Sequence, residues 1–146
     1  IQDLLAEVIQ DLDIQIRHQG ATIQILGDEN LVVRGDRFHL GNAFRNLIDN
    51  ALKYHDGNPE IAISLEEKKD SIHIIFEDNG IGREKSKELK TKHQREGKST
   101  GMKNIEERLR IIKELYGQDM KLSVSDLNED GTGTKVELVI PKRKAA

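Results

Sequence analysis

Asn46, Asn50 and Lys53 fall at i, i+4 and i+7, which on an α-helix is one face. Amide carbonyls are hard oxygen ligands of the kind magnesium takes, and a lysine suits phosphate oxygens. A solvated helix face shows the same spacing, so this group carries weight only in company. A second group is Asp78-Asn79-Gly80-Ile81-Gly82. A carboxylate closing a strand can accept a hydrogen bond from an exocyclic amine such as that of adenine. The glycines beside it remove Cβ atoms and let the backbone approach a flat ligand, although an ordinary Asp/Asn/Gly turn reads alike. The third group, Gly97-Lys98-Ser99-Thr100-Gly101-Met102, precedes a helical pattern. Free N–H groups and the positive end of the dipole make such a helix start an anion site, to which Lys98 and Lys103 add charge. The fourth, Gly131-Thr132-Gly133-Thr134, is a tight turn with a hydroxyl, able to finish a nucleotide site or merely to join two strands.

These groups need elements to hold them. Leu5, Val8, Ile9, Leu12 and Ile16 make one helical stripe ended by Gly20. Residues 21–26 alternate as a strand through Ile23 and Ile25, and Leu31 to Arg34 reads as a short second strand. Asp36 can cap a helix running to about Tyr54, with Leu40, Phe44, Leu47, Ile48 and Ala51 on its apolar face. Glu60–Glu66 and Ser71–Glu77 alternate as a hairpin. Asp78 to Thr100 is a polar, lysine-bearing loop, longer than the ~12–15 residues at which loops are commonly functional lids or disordered. Gly101 to Tyr116 is helical again. Met120–Ser125 and Thr134–Ile140 are strands, and Lys142 to Ala146 a basic tail. This predicts five or six half-polar strands and three helices, a two-layer sandwich with one wet sheet face.

Composition narrows the function. The chain has 146 residues, no cysteine, a net charge of -3 and 3% aromatics. That excludes disulfides, thiolate zinc sites and a cysteine nucleophile, and it argues against nucleic acid as a partner. No apolar run nears the ~20 residues needed to span a bilayer, and no secretion signal opens the chain. A cytoplasmic single domain without direct membrane contact is expected. Because it begins at Ile1, it reads as a piece of a longer protein.

The four groups, in this order, resemble the boxes of bacterial sensor histidine kinases. Asn46-Leu47-Ile48-Asp49-Asn50-Ala51-Leu52-Lys53-Tyr54 resembles the N-box, Asp78 to Gly82 the first glycine box, Gly97 to Met102 the second, and Gly131 to Thr134 the closing Gly-Thr segment. The resemblance covers nearly the whole chain. It implies the α+β fold of the histidine-kinase/gyrase/chaperone/mismatch-repair (GHKL) ATPases: a two-layer α/β sandwich whose mixed, mostly antiparallel sheet is covered on one face by three helices. It implies ATP and Mg2+ as ligands. Asn50 would be the main metal ligand, with Asn46 at the metal or the phosphates and in the one position open to a catalytic role. Lys53 and Lys98 would meet phosphate, and Tyr54 would pack beside the nucleotide. Asp78 would read adenine, with Gly80 and Gly82 lining the base. Gly101 and Met102 would open the phosphate-binding helix, and Thr134 would lie near the adenine. Residues 78–100 would be the ATP lid. The sequence departs from many such kinases in lacking a phenylalanine between Asp78 and Gly101 and in having Ser99 where a glycine is usual. Its Asn104-Ile105-Glu106-Glu107-Arg108-Leu109 run resembles the subgroups with a short lid.

The resemblance further implies γ-phosphoryl transfer to a histidine on a separate dimerisation domain upstream, with those helices and a response regulator as partners. None of His18, His39, His55, His73 and His93 stands in an acceptor-like context, so a monomeric fragment that binds ATP without autophosphorylating is expected. His73 and His39 read as surface residues. Asp49 falls on the solvent side of the helical wheel, away from Asn50, so fast ATP hydrolysis is not expected. An anti-sigma-type serine kinase of the same fold and a non-catalytic docking module are the rival readings.

Overall fold

Strict alternation decides the middle of the sheet. In the computed structural model, Ile61, Ile63 and Leu65, Ile72, Ile74 and Phe76, and Val136, Leu138 and Ile140 are all buried. The structure describes residues 1–28, 31, 32, 37–53, 57–80, 100–129 and 132–142, and only the backbone of Lys53, Thr100, Gly101, Met102 and Asn104. Its elements run α1 (Gln2–Asp11), α2 (Asp13–Gln19), β1 (Thr22–Gly27), α3 (Arg37–Lys53), β2 (Glu60–Glu67), β3 (Ser71–Asp78), α4 (Thr100–Tyr116), β4 (Lys121–Asp126) and β5 (Thr134–Pro141). The sheet order is β1-β2-β3-β5-β4, with β1 parallel to β2 and every other pair antiparallel.

The register stacks like with like. Ile25, Ile63, Phe76, Val136 and Val124 form one rung across all five strands. Because side chains alternate, a slip of one residue would turn every core residue to solvent. On the covered face lie α3 and α4, which pack on each other, with α1 against α3. Phe44 of α3 and Phe76 of β3 meet at 6.0 Å between ring centroids, tilted by 44°. The two-layer sandwich is as the residue pattern predicts, and the mixed, mostly antiparallel sheet is as the resemblance implies.

Two expectations change. The first helix is two helices broken at Leu12, so four helices are described where three were expected. Leu12 stays buried while Ile14 beyond it is 86% exposed. No glycine or proline marks the break; the chain bends where Leu12 seats in the core. The expected strand at Leu31 to Arg34 is absent at Leu31 and Val32, which are not in a strand, and Val33 and Arg34 lie outside the described residues. Among the described residues, no helix is long and apolar enough to cross a membrane.

Candidate functional site

One end of the sheet changes character on its helix-covered side. The rungs Leu65–Ile74–Leu138 and Ile63–Phe76–Val136 are hydrocarbon, and the next one, Ile61–Asp78–Thr134–Asp126, is not. By strand parity with Ile74 and Phe76, the Asp78 carboxyl faces the helix layer. It is half-buried, and burial pushes its pKa up from 3.8 to about 6. The backbone N–H groups of Gly80 (2.8 Å to Oδ1) and Thr134 pull the other way by bonding the charged form. An ionised carboxylate offers about four acceptor positions, so two donors leave room for an amine.

The turn across from Asp78 is built to close on it. Gly133 N–H donates to the Gly80 carbonyl at 2.8 Å, and Leu127 N–H to the Gly133 carbonyl at 3.2 Å. Gly133 has φ +73, and a Cβ there would stand 2.8 Å from the Asp78 carbonyl oxygen and 2.9 Å from Leu127 Cβ. Only glycine fits both that dihedral and that approach.

Short connections bring the other two groups to this same end. Only residues 54–59 separate the end of α3 from Glu60, and β2 begins where β3 ends, with Ile61 opposite Asp78. The C-terminal half of α3, bearing Asn46 and Asn50, is thereby directed to the Asp78 end. At the other extreme, residues 117–120 join α4 to β4, which starts at the far end with Lys121 opposite Val139. A helix of 17 residues is about 25 Å long, so the first turn of α4 points back toward Asp78. The two helices therefore run antiparallel. The Arg108 Nη1 atom lies 2.9 Å from His39 Nδ1, and its guanidinium stands over the Phe38 ring at 5.3 Å. This pins the start of α3 to the middle of α4.

Asn46 and Asn50 are half-buried on α3, Gly80 is buried directly after β3, and Thr134 opens β5 opposite Asp78. Lys53 closes α3, and Gly101 and Met102 stand in the first turn of α4. Tyr54, Gly82, Lys98 and the rest of the expected lid between Gly80 and Thr100 lie outside the described residues. Among the described residues, no group of three or more His, Cys, Asp or Glu could hold a metal ion. Neutral amide oxygens at Asn46 and Asn50 fit an ion such as Mg2+, which keeps most of its shell from phosphate and water.

Three side chains differ from the sequence reading. Asp49 does not simply face solvent: its Oδ1 accepts a hydrogen bond from Gln15 Nε2 at 3.0 Å, tying α2 to α3. His73 is on the wet sheet face, as parity requires, but only 14% of its side chain is exposed. Its Nδ1 lies 2.8 Å from Glu137 Oε1 and its Nε2 2.9 Å from Ser71 Oγ. His39 is half-buried under Arg108. Sequence reasoning also passed over Gly133 and Asn79 as individual residues, although both lie within motifs it singled out.

The chain resembles known proteins over this whole assembly. The family described as Histidine kinase-, DNA gyrase B-, and HSP90-like ATPase matches residues 35–144. Sensor protein RprX of Bacteroides fragilis is 28% identical over 149 residues, covering 97% of this chain and 28% of that protein. Histidine protein kinase SaeS of Staphylococcus aureus is 32% identical over 89 residues, 56% of this chain and 24% of that protein. The chain thus spans about a quarter of the length of these curated relatives. Among solved structures, the catalytic domain of histidine kinase ThkA superposes with a TM-score of 0.76 at 19% identity, over 97% of this chain and 92% of that one. ThkA in complex with response regulator protein TrrA gives a TM-score of 0.72 at 23% identity, over 98% of this chain and 40% of that one.

Proposed function

The chain belongs to the histidine kinase-, DNA gyrase B- and HSP90-like ATPase family, and on that premise we propose that it is the catalytic domain of a sensor histidine kinase. It binds ATP with Mg2+ and donates the γ-phosphoryl group to a histidine on a separate dimerisation domain. What supports this reading is the topology, which directs the amide-bearing end of α3 and the first turn of α4 toward the end of the sheet that holds the half-buried Asp78. Asp78 takes the adenine amine, with Gly80, Gly82 and Thr134 around the base. Lys53, Lys98 and the first-turn N–H groups at Gly101 and Met102 take the phosphates, and Tyr54 packs beside the nucleotide. Asn50 and Asn46 hold the metal, which when bound supplies charge neutralisation on the phosphate oxygens.

Phosphoryl transfer depends mainly on positioning and charge neutralisation. The acceptor nitrogen bonds to the γ-phosphorus as the bond to the bridging oxygen of ADP breaks. The domain therefore orients the nucleotide, and the acceptor arrives on another domain. The names of the relatives favour this division, since RprX is a sensor protein and SaeS a histidine protein kinase. A response regulator is the partner downstream, as the ThkA–TrrA complex suggests by analogy. A cytoplasmic location goes with that role.

Thermal melting with and without ATP-Mg2+ tests the reading. A hundredfold excess over Kd stabilises the folded state by about 2.7 kcal/mol, which for a chain of this size raises Tm by roughly 5–10 °C. An unchanged Tm at millimolar ATP-Mg2+ overturns nucleotide binding. Transfer is tested by adding radiolabelled ATP and the domain to a histidine-bearing dimerisation domain from the same protein. Label on serine in place of histidine would favour the serine-kinase alternative.

A further inference from the structure

Asp78 and the residue after it grip in opposite directions. The Asp78 carboxylate takes the Gly80 N–H, so its direction depends on the course of the backbone through residues 79 and 80. The Asn79 side chain reaches away, toward the turn that begins β2. Its Oδ1 accepts from Glu60 N–H at 2.8 Å, its Nδ2 donates to the Asn58 carbonyl at 3.2 Å, and its own N–H donates to the Glu60 carbonyl at 3.2 Å. That turn is held from its other side as well. Thr22 N–H donates to the Pro59 carbonyl at 2.9 Å, and the Asn58 amide lies so near Gly20 that a Cβ there would come within 3.1 Å of its Oδ1.

We propose that Asn79 is a positioning residue for nucleotide selection: its two side-chain hydrogen bonds, to Glu60 N–H and the Asn58 carbonyl, fix the backbone at residues 79–80 and, through it, the angle at which the Asp78 carboxylate meets the adenine amine. The inference rests on the reading of Asp78 as the adenine contact. Asn79 is itself exposed and acts through its neighbour. An exposed turn residue with this many bonds could serve stability alone, and the two roles separate in what they do to selectivity. Loss of a stabilising bond weakens every ligand in proportion. Loss of the carboxylate's aim weakens only ligands that present an amine to it. A second backbone bond, from Gly133 N–H to the Gly80 carbonyl, holds the far side of the same peptide segment. Release of Asn79 therefore loosens Asp78 without freeing it.

Calorimetric titration of the 146-residue chain with ATP-Mg2+ and with inosine triphosphate-Mg2+ reads this directly, because inosine carries a carbonyl where adenine carries the amine. The parent chain should prefer ATP. Asp78→Ala should reduce the preference about tenfold and Asn79→Ala about threefold, the range of one hydrogen bond lost and one weakened. Asn79→Asp keeps an oxygen for Glu60 N–H but not the amide donor, and should fall between Asn79→Ala and the parent. It also decides the matter if Asn79→Ala does not fold by circular dichroism. An unchanged ratio in the folded Asn79 variants, beside a reduced one in Asp78→Ala, overturns the inference alone. An unchanged ratio in Asp78→Ala overturns the adenine reading and this inference with it.

Discussion

Asp78→Asn should make the ligand-free domain more stable at neutral pH and less able to bind ATP. The carboxyl's pKa stands at about 6 in the folded state against an ordinary 3.8. At 1.36 kcal/mol per pH unit that difference corresponds to about 3 kcal/mol, and discounting for the part of the group that remains solvated leaves about 2 kcal/mol. The bonds from Gly80 and Thr134 are already inside that figure, since they hold the value down against burial. An amide keeps one oxygen for the Gly80 N–H and carries no charge to desolvate. The sign follows from proton binding. Between pH 3.8 and about 6 the folded state holds a proton that the unfolded state has released, so stability falls as pH rises through that window. The advantage of Asp78→Asn is thus near zero at pH 3.8, grows through the window and is full above about 6. Urea unfolding of both chains at pH 4 and pH 7.5, without nucleotide, measures it. At pH 7.5 the gain should be about 2 kcal/mol, or roughly 4–8 °C in Tm. Contributions common to the two chains cancel in the difference between them. Equal stability at pH 7.5, or an offset that does not change with pH, would refute the assignment of the burial cost to this carboxyl.

Asn50→Ala should abolish measurable ATP-Mg2+ binding by calorimetry while costing at most about 1 kcal/mol in urea unfolding, because the side chain is only half-buried; unchanged affinity in the folded variant would remove Asn50 from the metal site. Gly133→Ala should cost about 2–3 kcal/mol, from a strained dihedral joined to a clash with the Asp78 carbonyl. Gly117→Ala, at nearly the same φ (+69) but with nothing within 4 Å, should cost about 1 kcal/mol; equal losses in thermal melts would show that the close approach carries no energy. Glu137→Ala should cost about 1–2 kcal/mol by loosening His73 between β3 and β5, whereas Asp13→Ala, which breaks the exposed pair with Arg17, should stay within about 0.5 kcal/mol; denaturant midpoints compare them.

How far the residues announce this arrangement depends on the range of the forces involved. β2, β3 and β5 end within one residue of where alternation puts them, because each is covered on one face and period-2 burial is written into each strand separately. The break at Leu12 cannot be read that way. The stripe Leu5, Val8, Ile9, Leu12, Ile16 is continuous in helical spacing, and it is the core beneath Leu12 that bends the chain. The same holds for His73: parity assigns its face, but its partner Glu137 is 64 residues away and becomes its neighbour only once β3 pairs with β5. Asn79 and Gly133 sit in the motifs that the sequence singles out. Their particular tasks depend on Glu60 and Asp78 lying opposite them, which no local pattern states.

If Asp78 is the adenine contact, as proposed, the same register gives the reason for a carboxylate at this rung. One step inward, among Phe76, Ile63 and Val136, an ionised carboxyl would lose nearly all hydration and would hold its proton at neutral pH. On the opposite sheet face it would be better hydrated, and water would compete with an amine for its oxygens. At the last rung it is half-buried, so it ionises near neutrality and is still poorly hydrated. Two backbone donors orient it, and Gly133 lets the turn close without a side chain in the way. The desolvation that costs the empty domain stability is therefore the condition that gives an adenine amine something to gain. Near pH 6, where the carboxyl is partly protonated, binding of the amine to its ionised form must release protons in proportion to the fraction that was protonated. Stability, selectivity and pH response at this site are thus three readings of one half-buried group.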